Sequence, residues 1–293
     1  MKIYNIGSLN IDYVYSVENF VRPGETISST NYNIFPGGKG LNQSVALGKA
    51  GANVIHGGII GDGGEFLVEI LKNANVDVSY LKTTDGPSGH AIIEVDKTGQ
   101  NRIILHGGSN QKFTEEYIDE LLYDAKEGDI VLLQNEINAL NIIFEKAHNK
   151  GLQIALNPSP FNDKIKSLPL NYVNWWLCNE IEGSEITGEK EPKQIAEKMI
   201  ELYPDSNLIL TLGKDGAMFK SKDKECYQPI IEVKVADTTA AGDTFTGYLL
   251  ASIIKGYDIE KALLTASKAS AIAVSRNGAS VSIPTIEEVE NFL

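Results

Sequence analysis

The chain has 293 residues, and its contents of 42% hydrophobic and 22% charged residues are those of an ordinary globular protein. A formal net charge of −13 argues against a nucleic-acid partner, because a protein that binds phosphate backbones needs a basic surface. The two cysteines, Cys178 and Cys226, lie far apart and indicate neither a disulfide framework nor a thiolate metal site. Without a secretion signal or an apolar run of membrane-spanning length, we expect a cytoplasmic protein with no membrane partner.

Strand patterns and helix patterns alternate along most of the chain. In chain order they predict a strand at 2–6, a helix after the glycines at 37–40 that closes at 50–51, a strand at 53–60, helices at 65–73 and 114–123, a strand at 129–134, a helix at 138–149, strands at 153–157 and 172–178, a helix at 192–203, strands at 208–212 and 230–235, helices at 244–255 and 259–276, and a terminal helix capped by Thr285 and Glu288. This order predicts an α/β fold with a mainly parallel central sheet and helices on both faces.

Two segments have a different pattern. Residues 13–35 alternate around a turn at 22–25, and residues 91–95 and 102–106 form a strand pair around a turn at 96–99. Because helix-like sequence separates the two segments, we expect them to meet as a small sheet beside the main body. The sequence therefore predicts a single α/β domain over residues 1–293, with an inserted β lid formed by about 12–35 and 88–106.

Polar residues recur where predicted strands end, and ligands bind beyond the carboxyl ends of strands in such sheets. The polar turns follow five of the strands, and their residues are Asn10, Asp12, Glu136, Asn179, Glu182, Gly213 and Asp243. Stability alone hardly explains this recurrence, so the sequence predicts a binding site at this edge of the sheet.

Two glycine-rich stretches could bind phosphate. The stretch Gly37–Asn42 precedes a helix, but it lacks the P-loop pattern and no Gly-x-Gly-x-x-Gly follows the first strand. Taken alone, such a turn is most often just a tight connection. Ala240, Ala241 and Gly242 lie where a helix begins, and there unpaired N–H groups and the helix dipole favour an anion. Asp243 beside them is either a helix N-cap or a carboxylate aimed at that anion.

Together the two stretches resemble the two motifs of the phosphofructokinase B (ribokinase-like) family of carbohydrate kinases. The resemblance covers essentially the whole chain and includes the segments 7–12, 23–26, 179–182, 211–213 and 271–284. It implies a three-layer ribokinase-like fold and an ATP-dependent sugar kinase that phosphorylates the primary 5-hydroxyl of D-ribose to ribose 5-phosphate. Two alternatives stay open: a kinase of the same fold for deoxyribose, fructose or a nucleoside, or a catalytically silent protein that binds sugar or nucleotide.

The resemblance also implies a role for each matching residue. Asp243 would be the general base, and the N–H groups of Ala240, Ala241 and Gly242 would form the anion hole for the transferred phosphoryl group. The implied sugar-binding residues are Asn10, Asp12, Gly38, Lys39, Asn42, Glu136 and Asp243. The implied residues for ATP and Mg²⁺ are Asn179, Glu182, Thr211, Gly213, Gly216, Gly242 and Ser267.

A potassium site is implied by a further set, which comprises Asp237, Thr239, Ala273, Arg276, Gly278 and Ser282. The alternative is that Asp237 caps a turn and Gly278 ends a helix. By the same resemblance the lid would close over the sugar and form a homodimer contact. The four histidines lack metal-ligand spacing, although His90 opens a lid strand near the expected sugar site. The stretch 106–110 departs from the family pattern beside that site, which leaves the identity of the sugar open.

Overall fold

The computed structural model describes residues 1–292. In this part of the chain the strands are β1 Ile3–Ile6, β2 Asn10–Val17, β3 Asn31–Gly37, β4 Val54–Gly57, β5 Ile59–Asp62, β6 Lys82–Pro87, β7 Gly89–Asp96, β8 Asn101–His106, β9 Ile130–Gln134, β10 Gln153–Asn157, β11 Val173–Asn179, β12 Asn207–Thr211, β13 Ala217–Lys220 and β14 Glu225–Gln228. The helices are α1 Lys39–Lys49, α2 Glu65–Asn73, α3 Glu115–Leu121, α4 Leu140–Asn149, α5 Asp163–Lys166, α6 Glu180–Thr187, α7 Pro192–Leu202, α8 Ala241–Ile254, α9 Ile259–Val274 and α10 Ile286–Glu290.

The main sheet has eight strands in the order β14-β13-β12-β11-β10-β9-β1-β4. From β4 to β12 all neighbours are parallel, and β13 and β14 add an antiparallel edge. Each parallel connection passes through a helix, as the alternation in the sequence predicts. The predicted fold class, a mainly parallel α/β sheet between helices, is confirmed.

Successive strand residues face opposite sides of the sheet, and each side has its own hydrophobic core. Ile3 belongs to a core formed with α1, α2, α8 and α9, whereas Tyr4 and Ile6 belong to a core formed with α3, α4 and α7. All three side chains are fully buried. Continuous apolar strands such as Ile130–Leu133 are therefore explained by burial on both faces.

Two predicted strands are wrong. Residues 53–60 form two strands, β4 and β5, which belong to different sheets because the chain turns away at Gly57 and Gly58. Residues 230–235 form no strand. Their side chains do alternate in burial, since Ile231 and Val233 are half-buried between exposed residues. This segment contacts the protein on one face without a hydrogen-bonded neighbouring strand, and alternation alone does not distinguish the two situations.

A second sheet has the strand order β3-β2-β7-β8, and we call it the small sheet. Its strands come from the two segments that depart from the helix–strand alternation. The two segments meet where β2 pairs in parallel with β7, through eight residue pairs from Asn10 with Gly89 to Val17 with Asp96. The sequence does not predict β6, which pairs with β5 in a separate ladder.

The first turn of α1 lies directly on the turn after β1, and this contact requires a glycine at position 40. A Cβ atom there would lie 2.4 Å from the Ser8 nitrogen and 2.7 Å from the Gly7 Cα. These are backbone atoms, which cannot move aside as a flexible side chain can. We therefore expect Gly40→Ala to lower the free energy of unfolding by about 3 kcal/mol.

Urea denaturation of Gly40→Ala measures this loss. Gly242→Ala is the matched control, because Gly242 occupies the same position in the first turn of α8 and a Cβ there meets nothing within 4 Å. Equal unfolding midpoints for the two variants would contradict the prediction.

Candidate active site

A cavity of about 270 Å³ opens at the carboxyl ends of β10, β11 and β12, where Asn157, Asn179 and Thr211 line it. The start of α8 forms the facing wall. The cavity thus lies at the edge of the sheet that the sequence analysis predicts. Eight predicted site residues line it, and they are Lys39, Asn179, Glu182, Thr211, Ala240, Ala241, Gly242 and Asp243.

Helix α8 begins in the cavity wall with free backbone donors. Ala240, its N-cap, has a left-handed backbone with φ of 59° and makes no side-chain cap. The Ala241 N–H is bonded to the Thr238 carbonyl at 3.2 Å, whereas the N–H groups of Gly242 and Asp243 have no hydrogen-bond partner in the described part of the chain. Of the three predicted anion-hole donors, Ala241 is thus occupied, whereas Ala240 and Gly242 have no N–H partner in the described residues, and Asp243 adds a further free donor.

Asp243 is not an N-cap, so that alternative is wrong. Its carboxylate lies in the first turn of α8 but bonds to α1 across the site. Asn42 Nδ2 donates to Oδ2 at 3.1 Å, and Gln43 Nε2 donates to Oδ1 at 2.8 Å. The carboxylate is 7% exposed. Two amides from consecutive residues of α1 therefore fix a nearly buried carboxylate beside the free donors of α8.

Polar groups of the predicted sugar site meet between β1, β2 and α1. The carboxylate of Glu136 accepts hydrogen bonds from the Lys39 backbone N–H at 2.9 Å and from the Ser8 hydroxyl. Asn110 Nδ2 donates to Asn10 Oδ1 at 2.7 Å. Within residues 1–292 the buried Asn42 Oδ1 has no hydrogen-bond partner, so it is an acceptor available to a ligand.

Asp12 approaches the backbone of Gly37, where a Cβ atom would lie 2.1 Å from its Oδ2. Burial, with a further contribution from the charge of Glu136, raises the pKa of Asp12 to about 6. Burial likewise raises the pKa of Glu136. The site is thus rich in carboxyl groups that desolvation makes easier to protonate.

Lys39 supplies the positive charge among these carboxylates. Burial alone would lower its pKa, but the charges of Asp243, Glu136 and Glu182 outweigh burial and raise it. The ammonium group is therefore kept charged on the cavity wall, where it can attract a phosphate as well as balance the acidic residues.

Asn179 and Glu182 form a capping box at the start of α6. The Glu182 N–H donates to Asn179 Oδ1 at 2.9 Å, and the Asn179 N–H donates to Glu182 Oε2 at 3.1 Å. Burial raises the pKa of Glu182. The box holds the Glu182 carboxylate at the cavity wall and leaves its other oxygen, Oε1, outside the capping pair.

The six residues of the predicted potassium set lie in two segments that Asp237 joins. Its Oδ1 accepts from the Thr239 N–H at 2.8 Å and its Oδ2 accepts from the Gly278 N–H at 3.0 Å. Arg276 instead forms a salt bridge with Glu288 at 2.5 Å, and the Ser282 hydroxyl donates to the Ala279 carbonyl at 2.8 Å. Asp237 therefore organises the loop with both oxygens.

Several predicted site residues lie away from the cavity wall. Gly213 and Gly216 follow β12, and Ser267 lies within α9. Gly216 has a backbone reason to be glycine, because a Cβ would meet the Gln228 carbonyl at 2.2 Å. In α9 it is Ser270 that reaches the start of α8, through a hydrogen bond of 3.2 Å to the Ala241 carbonyl.

Three polar residues that the site uses are absent from the predicted set: Ser8, Gln43 and Asn110. Each bonds to a predicted site residue or its backbone. Ser8 lies inside the segment 7–12 and Gln43 directly follows the stretch Gly37–Asn42, so their polar character near Asn10 and Asn42 was a usable signal. Asn110 lies in a stretch read as a departure from the family pattern, and only the fold brings it to Asn10.

Comparison with known proteins defines the class of this chain. The model of the pfkB family of carbohydrate kinases matches residues 2–286. The chain therefore belongs to the pfkB family of carbohydrate kinases. Among residues 1–292 no helix combines the length and apolar character needed to cross a bilayer.

Within that family the chain is similar to ribokinases. It is 35% identical to the ribokinase of Staphylococcus aureus over 98% of each chain. A structure of Arabidopsis thaliana ribokinase complexed with ribose and ATP superposes with a TM-score of 0.88, at 28% identity, over 99% of this chain and 98% of that one. The deoxyribokinase of Salmonella typhi is 28% identical over 100% of this chain and 99% of the relative.

Proposed function

We propose that this protein transfers the γ-phosphoryl group of ATP to the 5-hydroxyl of D-ribose and forms ribose 5-phosphate and ADP. The observation that carries the proposal is the Asp243 carboxylate, which two amides hold in place beside the free N–H groups that begin α8. Family membership supports phosphoryl transfer to a carbohydrate. The similarity to ribokinases over the whole chain supports ribose as that carbohydrate.

In the proposed reaction Asp243 takes the proton of the 5-hydroxyl as that oxygen attacks the γ-phosphorus. The N–H groups of Gly242 and Asp243 would then stabilise the charge on the transferred group. The sugar would be held by Asn10, Asp12, Asn42, Glu136 and the backbone at Gly38 and Lys39. Carboxylate and amide oxygens in a partly dehydrated site can distinguish a sugar from an analogue that lacks one hydroxyl.

Magnesium is proposed as the partner of ATP. Within the described residues no three acidic, histidine or cysteine side chains are grouped as a metal site. This fits Mg²⁺, which binds through one or two carboxylates together with water and substrate phosphates. Glu182 lines the cavity with one oxygen outside the capping pair and would be such a ligand. When bound, Mg²⁺ would neutralise phosphate charge, while Thr211, Gly213, Gly216 and Ser267 flank the nucleotide.

The potassium site is proposed on the loop that Asp237 organises. Because both Asp237 oxygens are occupied by N–H and O–H donors, backbone carbonyl groups of the two segments are the candidate ligands, as suits a large monovalent ion. Thr239 lies just before the N-cap of α8, so an ordered loop would steady the anion hole. Replacing K⁺ by tetramethylammonium in the assay below tests this, and unchanged turnover would count against the site.

We propose that the chain works as one α/β domain whose small sheet acts as a lid over the sugar. The face of this sheet that bears Asp12 also carries exposed Phe35, Ile103 and Leu105, because all are linked in register across β2, β3, β7 and β8. Such apolar side chains beside a hydrogen-bonding site would exclude water from the reaction. A cytoplasmic location stays a prediction, which cell fractionation can check.

A homodimer through the small sheet is proposed because both faces expose large apolar side chains. The face opposite Asp12 carries Tyr32, Ile34, Ile92 and Ile104, and Ile104 is 69% exposed. Light scattering should give twice the chain mass for the wild type and a smaller mass for Ile104→Arg. Ile181→Arg, at an isoleucine that is 71% exposed on α6, is the control that should stay dimeric. A wild-type monomer would end the proposal.

A second candidate substrate is deoxyribose, which the similarity to the Salmonella typhi deoxyribokinase favours. The two sugars differ by one hydroxyl, so the polar groups around Asn10 and Asp12 decide between them. A silent binding protein would have no use for a carboxylate fixed beside free phosphate donors.

The test is ADP release from ATP and Mg²⁺ in the presence of K⁺ across ribose, deoxyribose, fructose and adenosine. We expect a selective response to ribose, and omission of Mg²⁺ should abolish it. A response to another member would replace the substrate and keep the reaction. If calorimetry detects sugar binding but no ADP forms, the kinase proposal is overturned.

Sugar affinity should fall as the pH is lowered from about 8 to about 5, because the raised pKa of Asp12, about 6, converts its carboxylate to the neutral form. A neutral carboxyl accepts weaker hydrogen bonds from sugar hydroxyls than a carboxylate does. Since the folded pKa lies above the unfolded value of 3.8, protonation of Asp12 itself favours the unliganded fold over this range, so unfolding is not the expected cause.

Calorimetric titration with ribose at several pH values measures this change. Asp12→Asn is the control, and its weaker affinity should lose most of the dependence on pH in that range. An affinity of the wild type that stays constant from about pH 8 to about pH 5 contradicts the assignment of Asp12 to the sugar.

A further inference from the structure

A chain of buried polar side chains, three of them amides, leads from the core to Asp243, and none of its members has a role in the reaction proposed above. We infer that Gln43 and Gln134 are positioning residues, which orient the Asp243 carboxylate for proton transfer without touching either substrate. The inference rests on the proposed function, since it assigns these residues to the work of the same base.

The chain runs through five fully buried polar residues. Gln134 Nε2 donates to Gln43 Oε1 at 2.7 Å and to Asn5 Oδ1 at 2.9 Å. Asn5 Nδ2 donates to the Gly40 carbonyl at 2.8 Å and to the Ser44 hydroxyl at 2.7 Å. The Ser44 hydroxyl contacts His56 Nδ1 at 2.7 Å. Asn5, Gln43, Ser44, His56 and Gln134 all have 0% exposure.

The direction of every bond follows from one backbone carbonyl. The Gly40 oxygen can only accept, so the amide nitrogen of Asn5 must face it and the Asn5 oxygen must face Gln134. Gln134 then turns its nitrogen toward both Asn5 and Gln43. The Gln43 oxygen is occupied by that donor, and its nitrogen therefore faces Asp243.

The reverse orientation of any one amide would place two oxygens or two nitrogens against each other in a fully buried position. An unsatisfied or repelled buried polar group costs about 1–3 kcal/mol, so the chain strongly favours a single arrangement. At the far end burial lowers the pKa of His56 to about 3, so its ring is neutral where it shares a hydrogen bond with the Ser44 hydroxyl. The arrangement is thus fixed at neutral pH.

The consequence for Asp243 is that Oδ1 always meets a donor. With Oδ2 held by Asn42, the plane of the carboxylate is set from two sides. A carboxylate that is free to turn would spend less time with a lone pair toward the sugar hydroxyl. Because neither Gln43 nor Gln134 lines the cavity, their loss should affect the rate of transfer more than substrate binding.

The experiment replaces Gln43 by methionine, which has a similar shape and no donor. We expect kcat to fall about 10- to 100-fold, as for loss of a hydrogen bond to a charged group, with KM for the sugar within about 3-fold of the wild type. Tyr248→Phe is the control, because it deletes one buried hydrogen bond of α8, the helix that carries Asp243. That bond, to the Pro284 carbonyl at 2.7 Å, involves no member of the chain of amides. Its kcat should stay within about 2-fold of the wild type.

A double-mutant cycle separates positioning from a general effect on the fold. In the Asp243→Asn background, Gln43→Met should change turnover by less than about 2-fold, because the base it positions is gone. An equal loss of turnover in both backgrounds would overturn the inference, as would a Gln43→Met enzyme with wild-type kcat. If the methionine variant does not fold, Gln134→Met replaces it, since it removes the donor that orients the Gln43 amide and adds no charge beside Asp243.

The cycle uses whichever sugar the wild type phosphorylates, so a wrong substrate assignment does not affect it. If Asp243→Asn itself retains wild-type turnover, the proposed base fails. If Asp243→Asn is impaired but Gln43→Met is not, the positioning role alone fails.

Discussion

Replacing Asp243 with asparagine should lower kcat by about 10²- to 10⁴-fold, the range expected when a general base is removed. The substitution keeps the size of the side chain and one oxygen, so Asn42 or Gln43 can still donate to it and α8 should remain in place. What is lost is the ability to accept the proton from the attacking hydroxyl. Ribose affinity should change little, because most of the proposed sugar contacts come from other residues.

Single-turnover measurement of ADP formation at saturating ribose and ATP isolates this step from product release. Calorimetry with ribose on the same sample checks that the site is intact, and the control variant Asp205→Asn, at an exposed turn residue before β12, should behave as the wild type. Near-normal turnover by Asp243→Asn would remove the assignment of the base.

Gly242→Ala should produce opposite changes in stability and activity. The added methyl group meets nothing within 4 Å in the unliganded protein, and alanine in place of glycine within a helix stabilises by about 0.5–1 kcal/mol. The same methyl group enters the cavity where the phosphoryl group would meet the free N–H donors. A displacement of the reacting group by about 1 Å can reduce the rate by about 10²-fold, and we expect a loss of kcat of that order.

Urea denaturation and ADP release on one preparation measure both quantities. A variant that is as stable as the wild type or more so, but slow, supports a phosphate at the start of α8. Full activity together with increased stability would show that the cavity beside Gly242 does not hold the transferred group.

Much of the fold was predictable because its signals are local. The continuous apolar strands and their intervening helices follow from burial on both faces of a parallel sheet, and caps such as Thr114 and Thr285 mark helix starts within a few residues. The break between β4 and β5 was not predictable from apolar pattern, since both halves are buried. The segment 230–235 looked like a strand because its apolar and polar residues alternate. Such alternation shows that one face of a segment is buried, but it does not show whether a neighbouring strand forms hydrogen bonds with it.

The candidate site was predictable as a set of residues and less so as an arrangement. The motif containing Gly242 and Asp243 marks the start of a helix on local grounds. The partners of Asp243 lie about 200 positions earlier in α1, and only the packing of α1 against α8 decides that they face it. For the same reason sequence alone left the N-cap alternative open, whereas the contact with Asn42 and Gln43 excludes it.

The consecutive positions of Asn42 and Gln43 bear on any attempt to redesign sugar preference. One turn of α1 presents a group proposed to recognise the sugar and also holds the carboxylate proposed to perform the chemistry. Changes at Asn42 that admit a new sugar would therefore shift the base as well, and selectivity and speed would be altered together. The small sheet offers a separate route, because Phe35 and Leu105 lie on the same face as Asp12 with no hydrogen bond to Asp243. Engineering of specificity should begin there.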